Sequence, residues 1–374
     1  MNVNNLKLFL TGVIAFLSIQ IGTCQQLGRD SFIIKGTVHG RDTGTVFFYT
    51  EDISKPWRST KLDHGNFLLK GQVDFPDFFN MGINDDVYLN SFFISNNKVI
   101  SIDYDAVRHH FEAAGNSENE IYFQFKKNIK PYLTRQFELK ESAKKFEGNL
   151  KAKAEIFALI KENGDKIFKE GQMIILSYPD NLATAQILFE IGFYGDPEET
   201  KKLTLVLKPE VKSHPLYLII AKQLAIIESQ VNISSFSNFK KYAPLKLGLK
   251  NAGKILVVDF WASWCAPCIE EFGLLKTISQ AWDTSKVSLI AISLDKNKED
   301  WEKAYKKYNL TNQNYLVSSF NGIDSAFNIT SIPYKLIVSP DGKILKARFG
   351  IDELYNYLST NNLLSIKGDI SNKK

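Results

Sequence analysis

Two cysteines separated by two residues give the strongest chemical signal in this sequence. Cys265 and Cys268 enclose Ala266 and Pro267. A thiol at the first turn of a helix faces unpaired backbone N–H groups and the positive end of the helix dipole, and both favour the thiolate. We therefore expect Cys265 to be a nucleophile at a helix N-terminus. Cys268, one turn deeper, would then resolve the mixed disulfide that Cys265 forms with a substrate.

Two other uses of this cysteine pair fit the sequence less well. A zinc site needs two further ligands, but the remaining cysteine, Cys24, lies near the N-terminus and no histidine follows residue 237. A purely structural disulfide would close so short a loop that it would gain little entropy. Pro267 suits the first helical turn, where a missing N–H costs no hydrogen bond. The pair therefore indicates thiol–disulfide exchange.

The segments around the cysteines predict an α/β fold that holds them at a strand-to-helix junction. Lys254–Trp261 is a nearly continuous apolar run, typical of a strand buried on both faces. Residues 269–282 then carry apolar side chains at helical spacing. The pattern predicts a second buried strand, a helix, a hairpin and a last helix over Val287–Ser293, Asp300–Tyr308, Leu336–Leu345 and Asp352–Leu358. This order predicts a mixed sheet with helices on both faces.

Four motifs in the last part of the chain resemble the thioredoxin superfamily. They are Val257–Cys268, Ser293–Asp295, Ile332–Pro333 and Ser339–Gly342. Within that superfamily the sequence is most similar to envelope thiol:disulfide interchange proteins of the TlpA/ResA type. The resemblance covers residues 237–374 and implies a thioredoxin-like fold with protein-disulfide reductase or oxidoreductase activity. In many such proteins, an N-terminal β domain and a helical linker precede the thioredoxin domain.

The resemblance also implies roles for residues around the cysteines. Pro333 matches a cis-proline that would place the Ile332 backbone beside the sulfurs, where a substrate strand pairs through main-chain hydrogen bonds. Asp259 matches a buried acid whose raised pKa would let it accept the Cys268 proton. Glu271 matches a glutamate that tunes the thiols. The implied substrate-binding rim consists of Trp264, Ala266, Pro267, Ile332 and Pro333.

Each of these implied roles has a plainer alternative. Asp259 would fit equally as a hydrogen-bonded strand residue without a proton role. Glu271 would fit as a favourable charge near a helix N-terminus or as a solvated side chain. Trp264 would fit as an ordinary core residue, and Pro333 as a trans proline in a loop.

The first 24 residues have the pattern of a signal peptide. Lys7 precedes Leu8–Ile19, an apolar run of 12 residues, which is too short to span a bilayer comfortably and has the length of a signal-peptide core. Cleavage near Cys24 would give a soluble secreted product, whereas Ile21–Cys24 resembles a bacterial lipobox in which Cys24 is lipidated. Thr23 is unusual before a lipidated cysteine, and an uncleaved signal anchor is a third alternative. Export would place the protein in the cell envelope or periplasm, where thiols tend to be oxidised.

Length and composition are those of a globular protein with several domains. The chain has 374 residues, of which 44% are hydrophobic and 23% charged, and these values exclude a mainly disordered or polytopic membrane protein. A dispersed net charge of +5 gives no reason to expect nucleic acid as a partner. We predict a signal peptide at 1–24, a β-rich domain at 31–116, a helical linker domain at 117–232 and a thioredoxin-like domain at 237–374.

The two middle domains carry different periodicities. In the first, short aromatic and β-branched runs between turn residues predict a small antiparallel sheet or sandwich. In the second, apolar residues recur at helical spacing. Pro197 and Pro215 suit first helical turns, whereas Pro131 should kink or split the first helix. Asp180 should cap a later helix.

The favoured function is reduction of protein disulfides through the Cys-Ala-Pro-Cys dithiol. The motif lacks the histidine of strongly oxidising members, and a reductase in an oxidising compartment must be recharged, which implies a membrane electron donor. Family members imply envelope proteins with disulfides as substrates, apocytochrome c among them. No cofactor or metal is expected, because the adjacent His109 and His110 are more typical of a solvated strand end than of a metal site. The membrane is a partner only if Cys24 is lipidated.

Two alternative functions remain. The chain could be a non-catalytic envelope binding protein that uses its N-terminal domains and keeps the thioredoxin domain as a scaffold. Peroxidase chemistry of the peroxiredoxin type is disfavoured, because it needs a threonine shortly before the reactive cysteine and Ala262–Trp264 occupies that stretch.

Overall fold

Three regions of regular structure follow one another in the computed structural model of the chain. The predicted signal peptide, Cys24 and the predicted start of the last domain at 237–252 lie outside the described residues. The structure describes residues 31–50, 54–84, 86–88, 90–146, 150–227, 229, 253–308, 313–316, 327, 329 and 331–365.

The first region is a largely antiparallel sheet with nine strands in the described residues. They are β1 (Phe32–His39), β2 (Thr43–Tyr49), β3 (Arg58–Asp63), β4 (Asn66–Gly71), β5 (Asp77–Ile83), β6 (Asp86–Tyr88), β7 (Asn90–Ile94), β8 (Val99–Asp105) and β9 (His110–Ala114). The strand order is β6-β5-β2-β3-β4-β1-β8-β9, with β7 also paired to β5. The predicted β-rich, antiparallel character is confirmed, and in the described residues one pair, β1 with β8, is parallel.

Strands β3 and β5 lack a clear apolar pattern in the sequence. In β3, Leu62 is the one buried side chain, because the neighbouring positions are polar and face solvent. In β5, Asn80 and Gly82 interrupt the apolar run. Both strands form because their neighbours in the sheet supply the hydrogen bonds, which a pattern search along the chain does not detect.

The second region is helical. Its helices are α1 (Ser117–Lys144), α2 (Leu150–Ser177), α3 (Ala183–Ile191), α4 (Pro197–Val206), α5 (Pro209–Lys212) and α6 (Pro215–Ile226). Pro197 and Pro215 each occupy the first position of a helix, as predicted. A bilayer-crossing segment would need more length and apolarity than any helix in the described part of the chain has.

Pro131 was predicted to kink or split the first helix, and a split is ruled out because α1 continues through the proline. The buried residues Phe125 and Ile129 before the proline are followed at helical spacing by Gln136 and Leu139. This continuous buried stripe packs against α2. Tertiary packing therefore outweighs the usual cost of a proline inside a helix, about 3 kcal/mol, which combines a lost backbone hydrogen bond and a ring clash.

The prediction that Asp180 caps a helix is also wrong. The helix concerned, α3, begins at Ala183, and the side chain of Asn181 accepts a hydrogen bond from the Ala183 N–H at 3.0 Å. Asn181 is the last residue before the helix that combines a short polar side chain with the reach to this N–H.

The third region is a mixed α/β sheet, as predicted. Its strands are β10 (Ile255–Trp261), β11 (Val287–Ser293), β12 (Asn314–Leu316), β13 (Tyr334–Val338) and β14 (Ile344–Ala347), and its helices are α7 (Ala266–Gln280), α8 (Lys298–Tyr308) and α9 (Ile351–Thr360). The strand order is β12-β11-β10-β13-β14. The central strand β10 runs parallel to β11 and antiparallel to β13. The short edge strand β12 was not predicted.

The helical region packs directly on the third region. Leu139 and Ala143 of α1 and Phe157 and Ile160 of α2 share one buried cluster with α7 and α9. A second contact lies near β14. There the Arg348 guanidinium stacks on the ring of Phe193, which follows α3, and donates a hydrogen bond to Gln223 of α6 at 3.1 Å. The helices are thus part of the surroundings of the cysteine pair.

Candidate active site

The cysteine pair lies at the junction of the central strand and a helix. Strand β10 ends at Trp261, and Cys265 is the N-cap residue of α7. The Cys268 N–H points at Cys265 Sγ from 3.3 Å, and a disulfide joins the two sulfurs with the Cα atoms 5.3 Å apart. Cys265 and Cys268 are 4% and 2% exposed. The sulfur of Cys265 therefore faces the positive end of the helix, where a thiolate is stabilised.

A buried aspartate fixes the loop that leads into Cys265. Asp295, just after β11, accepts hydrogen bonds from the Ser263 N–H at 2.9 Å and from the Ser263 hydroxyl at 2.6 Å. The Ser293 hydroxyl donates to the same carboxylate at 2.6 Å. Ser293–Asp295 belongs to the motifs that carry the family resemblance, but no role was predicted for these residues. Their role is to hold the loop between β10 and Cys265. In this loop Trp264, the neighbour of Cys265, is 64% exposed.

The predicted substrate rim surrounds this junction. Ala266 and Pro267 are exposed at the start of α7. The Ile332–Pro333 peptide bond is cis, as the resemblance implied, and it comes just before β13. Ile332 packs on the buried cluster that contains Cys265 and Cys268. The structure thus brings both predicted halves of the rim to one end of the sheet.

Three charged groups lie together on the strands and the helix that carry the site. Asp259 of β10 and Lys335 of β13 are directly opposed in the antiparallel register. The Lys335 ammonium is 3.3 Å from Asp259 Oδ1 and also forms an ion pair with Glu271 of α7. The side chains of Lys335, Asp259 and Glu271 are 1%, 3% and 24% exposed. We call these three residues the charge triad.

Lys335 was not among the predicted site residues. A lysine beside an apolar run is usually solvated, and the predicted hairpin strand began after it, at Leu336. The available signal was the position of β13 next to the central strand, since a strand in the middle of a covered sheet buries both of its faces. Lys335 is then necessarily inside, where a lysine requires carboxylate partners.

The charges of the triad are mutually dependent. Burial raises the pKa of Glu271, the Lys335 ammonium partly offsets this, and the nearby Asp259 and Asp352 carboxylates raise it further. Burial alone would lower the pKa of Lys335, but Asp259 and Glu271 raise it above its ordinary value. The lysine therefore stays charged, and Glu271 is the carboxyl group of the triad that holds a proton more readily than usual.

A cavity of about 580 Å³ opens beside the triad, between α7 and the helical region. Glu271 and Pro267 line it on the side of the cysteines, and Phe157 lines it from α2. Its other charged residues are Lys140, Lys153, Glu270 and Asp352.

The histidine pair lies far from this chemistry. His110 forms an exposed ion pair with Glu112 at 3.0 Å on β9, and His109 sits in the preceding turn with a φ of 52°. This agrees with the predicted solvated strand end. Within the described ranges, no three His, Cys, Asp or Glu side chains are grouped closely enough to hold a metal ion.

Two family models match parts of the chain. Residues 253–344 match a family described as thioredoxin-like. Residues 32–122 match a family described as a domain of unknown function (DUF4369). The first match contains the disulfide, the cis-proline and all three residues of the charge triad.

Several known proteins are similar to the last part of the chain. The thiol-disulfide oxidoreductase ResA of Bacillus subtilis is 24% identical over 98 residues, which are 26% of this chain and 54% of that protein. The sporulation thiol-disulfide oxidoreductase A of the same organism is 25% identical over 107 residues, 28% of this chain and 64% of that protein. The chain thus spans between about half and two thirds of these relatives. The thioredoxin domain of a Bacteroides vulgatus thiol-disulfide oxidoreductase is 28% identical, with a TM-score of 0.28, covering 30% of this chain and 81% of that structure.

Proposed function

We propose that this chain, whose C-terminal domain is thioredoxin-like, is a thiol–disulfide oxidoreductase that reduces protein disulfides through Cys265 and Cys268. The observation that carries the proposal is the Cys265–Cys268 disulfide at the N-terminus of α7. A bond between these two sulfurs is the oxidised end state of the proposed reaction. The names of the relatives that match this domain support the same activity.

The reaction starts from the dithiol. The Cys265 thiolate attacks one sulfur of the substrate disulfide, a Cys265–substrate bond forms, and the other substrate sulfur leaves as a thiolate. Cys268 then loses its proton and attacks Cys265 Sγ, so that the Cys265–Cys268 bond forms and the second substrate thiolate leaves. Two cysteines of the enzyme are oxidised and one substrate disulfide is reduced. The buried carboxylate of Asp259 and the nearby Glu271 are the candidate acceptors for the Cys268 proton.

The substrate would bind across the exposed end of the sheet. Trp264, Ala266 and Pro267 form one edge of this surface, and Ile332 with Pro333 forms the other. An extended substrate segment would pair with the Ile332 backbone while its disulfide lies over Cys265.

The cellular setting follows from the N-terminal segment and from the chemistry. The proposed signal peptide at 1–24 places the mature protein in the cell envelope, where Cys24 is either removed or lipidated. Envelope proteins with disulfides, apocytochrome c among them, are the proposed substrates, and a membrane protein is the proposed electron donor. The proposed domains are the β-rich 31–116, the helical 117–232 and the thioredoxin-like 237–374.

The activity is tested by insulin reduction with dithiothreitol. The wild-type chain should accelerate precipitation of the insulin B chain, and Cys265→Ser should abolish the acceleration. Activity that survives this substitution would refute the role of Cys265 and favour the binding-protein alternative. A Cys268→Ser variant should remain covalently attached to its substrates, because the mixed disulfide then has no resolving thiol.

The direction of electron flow is tested by equilibration with glutathione. The Cys-Ala-Pro-Cys motif predicts a potential near the reducing end of the family, at roughly −270 mV, and a value above about −150 mV would contradict the assignment as a reductase.

A further inference from the structure

The cavity between α7 and the helical region is much larger than a packing defect. Its volume of about 580 Å³ falls within the range of about 300–1,000 Å³ that is usual for sites of small organic ligands. Lys153 and Phe157 of α2 line one side, and Leu274 of α7 and Ile351 of α9 line the other. Such sites often lie where two domains meet, so both the size and the position of the cavity suit a ligand.

Gly273 leaves part of this cavity open. It lies in the middle of α7 with a helical backbone, where a glycine costs up to about 1 kcal/mol relative to alanine. A Cβ atom at this position would meet no described atom within 4 Å outside its own turn of helix, so packing does not require a glycine here. A helix glycine that faces a cavity allows a ligand to approach the backbone closely.

The helical wall of the cavity combines positive charge with apolar surface. Its charged lining residues are Lys140 and Lys153, and the Lys153 side chain is almost completely buried. An ammonium in a buried position attracts an anion more strongly than one in bulk water, because the local dielectric constant is lower. Phe157 and Ile160 lie on the same wall and are apolar. This wall therefore matches a molecule with an acidic head and an apolar body.

The carboxylates of the cavity lie on the opposite wall, and each has another source of compensation. Glu270 is exposed to solvent. Asp352 is in the first turn of α9, near the positive end of that helix. Glu271 forms an ion pair with Lys335. These groups repel an anionic head from the α7 wall, so the head would face the helical wall.

We propose that the cavity binds an amphipathic organic anion, an acidic group on an apolar body, between α2 and α7. The acidic group lies beside Lys153, and the apolar body extends along Gly273 and Leu274. Pro267, which also lines the cavity, connects this site to the proposed substrate rim. Binding requires no reaction at the cysteines, so this inference stands or falls separately from the proposed function.

The test uses the oxidised full-length chain and 8-anilinonaphthalene-1-sulfonate, a dye that carries one sulfonate on an aromatic body and fluoresces when it leaves water. Fluorescence titration gives the Kd, and calorimetry should give one site per chain. Decanoate, decanol and decyltrimethylammonium then compete with the dye, because they share one apolar chain and differ in the charge of the head. Decanoate should displace the dye at a concentration about tenfold or more below that of decanol. Displacement by decanol or decyltrimethylammonium at the same concentration as decanoate overturns the inference.

Gly273→Leu places the dye in the cavity, or excludes it from there. The leucine side chain fills the space beside α7 and should raise the Kd of the dye by about tenfold or more. Gly273→Ala is the matched control, because it gives the same helix a better helix former but adds a single methyl group. Neither variant should lower the thermal midpoint. An unchanged Kd in Gly273→Leu means that the dye binds elsewhere and overturns the inference.

Lys153→Met tests the acidic head. The Kd of the dye should rise by about tenfold or more, whereas the concentration of decanol needed to displace it should not rise. Lys166→Met is the control, because Lys166 lies on the same helix and forms an exposed ion pair with Glu162 at 2.8 Å. Equal Kd values in the two variants contradict the assigned position of the head. If Lys153→Met does not fold, the two variants of Gly273 and the three competitors decide the question.

Discussion

Two aspartates of the thioredoxin-like domain are equally buried, but different kinds of partner compensate their negative charges. Asp295, just after β11, receives hydrogen bonds from one backbone N–H and two serine hydroxyls. Asp259, on β10, faces the Lys335 ammonium, which it shares with Glu271. The donors of Asp295 are neutral and fix a loop, whereas the partners of Asp259 are themselves titratable. The comparison shows one carboxylate that anchors a loop through neutral donors and another that belongs to a group of buried charges, and proton transfer is our proposal for the second.

The largest expected effect comes from Asp259→Asn. If this carboxylate accepts the Cys268 proton, the amide should slow the resolution step by about 100-fold while the first attack by Cys265 remains. With 5,5′-dithiobis(2-nitrobenzoate) as substrate, attack by Cys265 releases one thionitrobenzoate and resolution by Cys268 releases a second. Rapid mixing at neutral pH then measures both steps, with Cys24→Ser in every variant so that Cys265 and Cys268 are the two thiols. Asp295→Asn is the control, because it alters a carboxylate of equal burial without a proton role. Equal slowing in both variants would remove the contrast between the two sites.

Asp295→Ala should instead reduce stability. The substitution leaves the Ser263 N–H and two hydroxyls without their acceptor, so the free energy of unfolding of the domain should fall by roughly 3 kcal/mol. Urea denaturation of the oxidised chain measures the change. Asp300→Ala, at an exposed aspartate near the start of α8, should leave the midpoint nearly unchanged. A stable Asp295→Ala variant would show that the loop does not depend on this anchor.

Ser263→Ala should produce a smaller version of the same loss. It removes one hydroxyl donor to Asp295 but keeps the backbone donor at 2.9 Å, so we expect a loss of about 1 kcal/mol in the same denaturation experiment. Combined with Asp295→Ala, Ser263→Ala should add little, because its partner is already absent. Full additivity in the double variant would mean that Ser263 stabilises the loop through another contact.

Glu271→Gln should have the smallest effect, visible as a change in pH dependence. Burial raises the pKa of Glu271 in the folded state above 4.5, its value in the unfolded state. At a pH between the unfolded-state pKa and the folded-state pKa, the folded chain therefore binds more protons than the unfolded chain. This contribution to stability is present below 4.5 and is lost as the pH rises through the folded-state pKa. The oxidised wild type should therefore lose stability over this window relative to Glu271→Gln. Glu270→Gln, at the exposed neighbour, should follow wild type.

The sequence predicts best those parts of the site that are local along the chain. The Cys265–Cys268 spacing, the preceding apolar strand and the Ile332–Pro333 motif each lie within a few residues, and together they predict the α/β thioredoxin-like fold that the comparisons confirm. Lys335 was missed because its importance depends on Asp259, which is 76 positions away along the chain but directly opposite in the sheet. Local propensity does not contain that pairing.

The same limit explains the errors elsewhere. Pro131 breaks an isolated helix, but α1 is held by a buried stripe against α2 that spans the proline. Strand β3 has a single buried side chain and forms because β2 supplies its hydrogen bonds. In both cases tertiary contacts decide the local structure, and a reading of neighbouring residues does not include them.

The packing of the helical region on the redox domain has a practical consequence. Leu139, Ala143, Phe157 and Ile160 complete the buried cluster around α7 and α9, so a fragment that begins at residue 253 would present this apolar area to water. Such a surface beside the dithiol favours self-association. Measurements on the isolated redox domain would then be affected by self-association of the fragment. A fragment that begins at residue 117 keeps the covering helices in place.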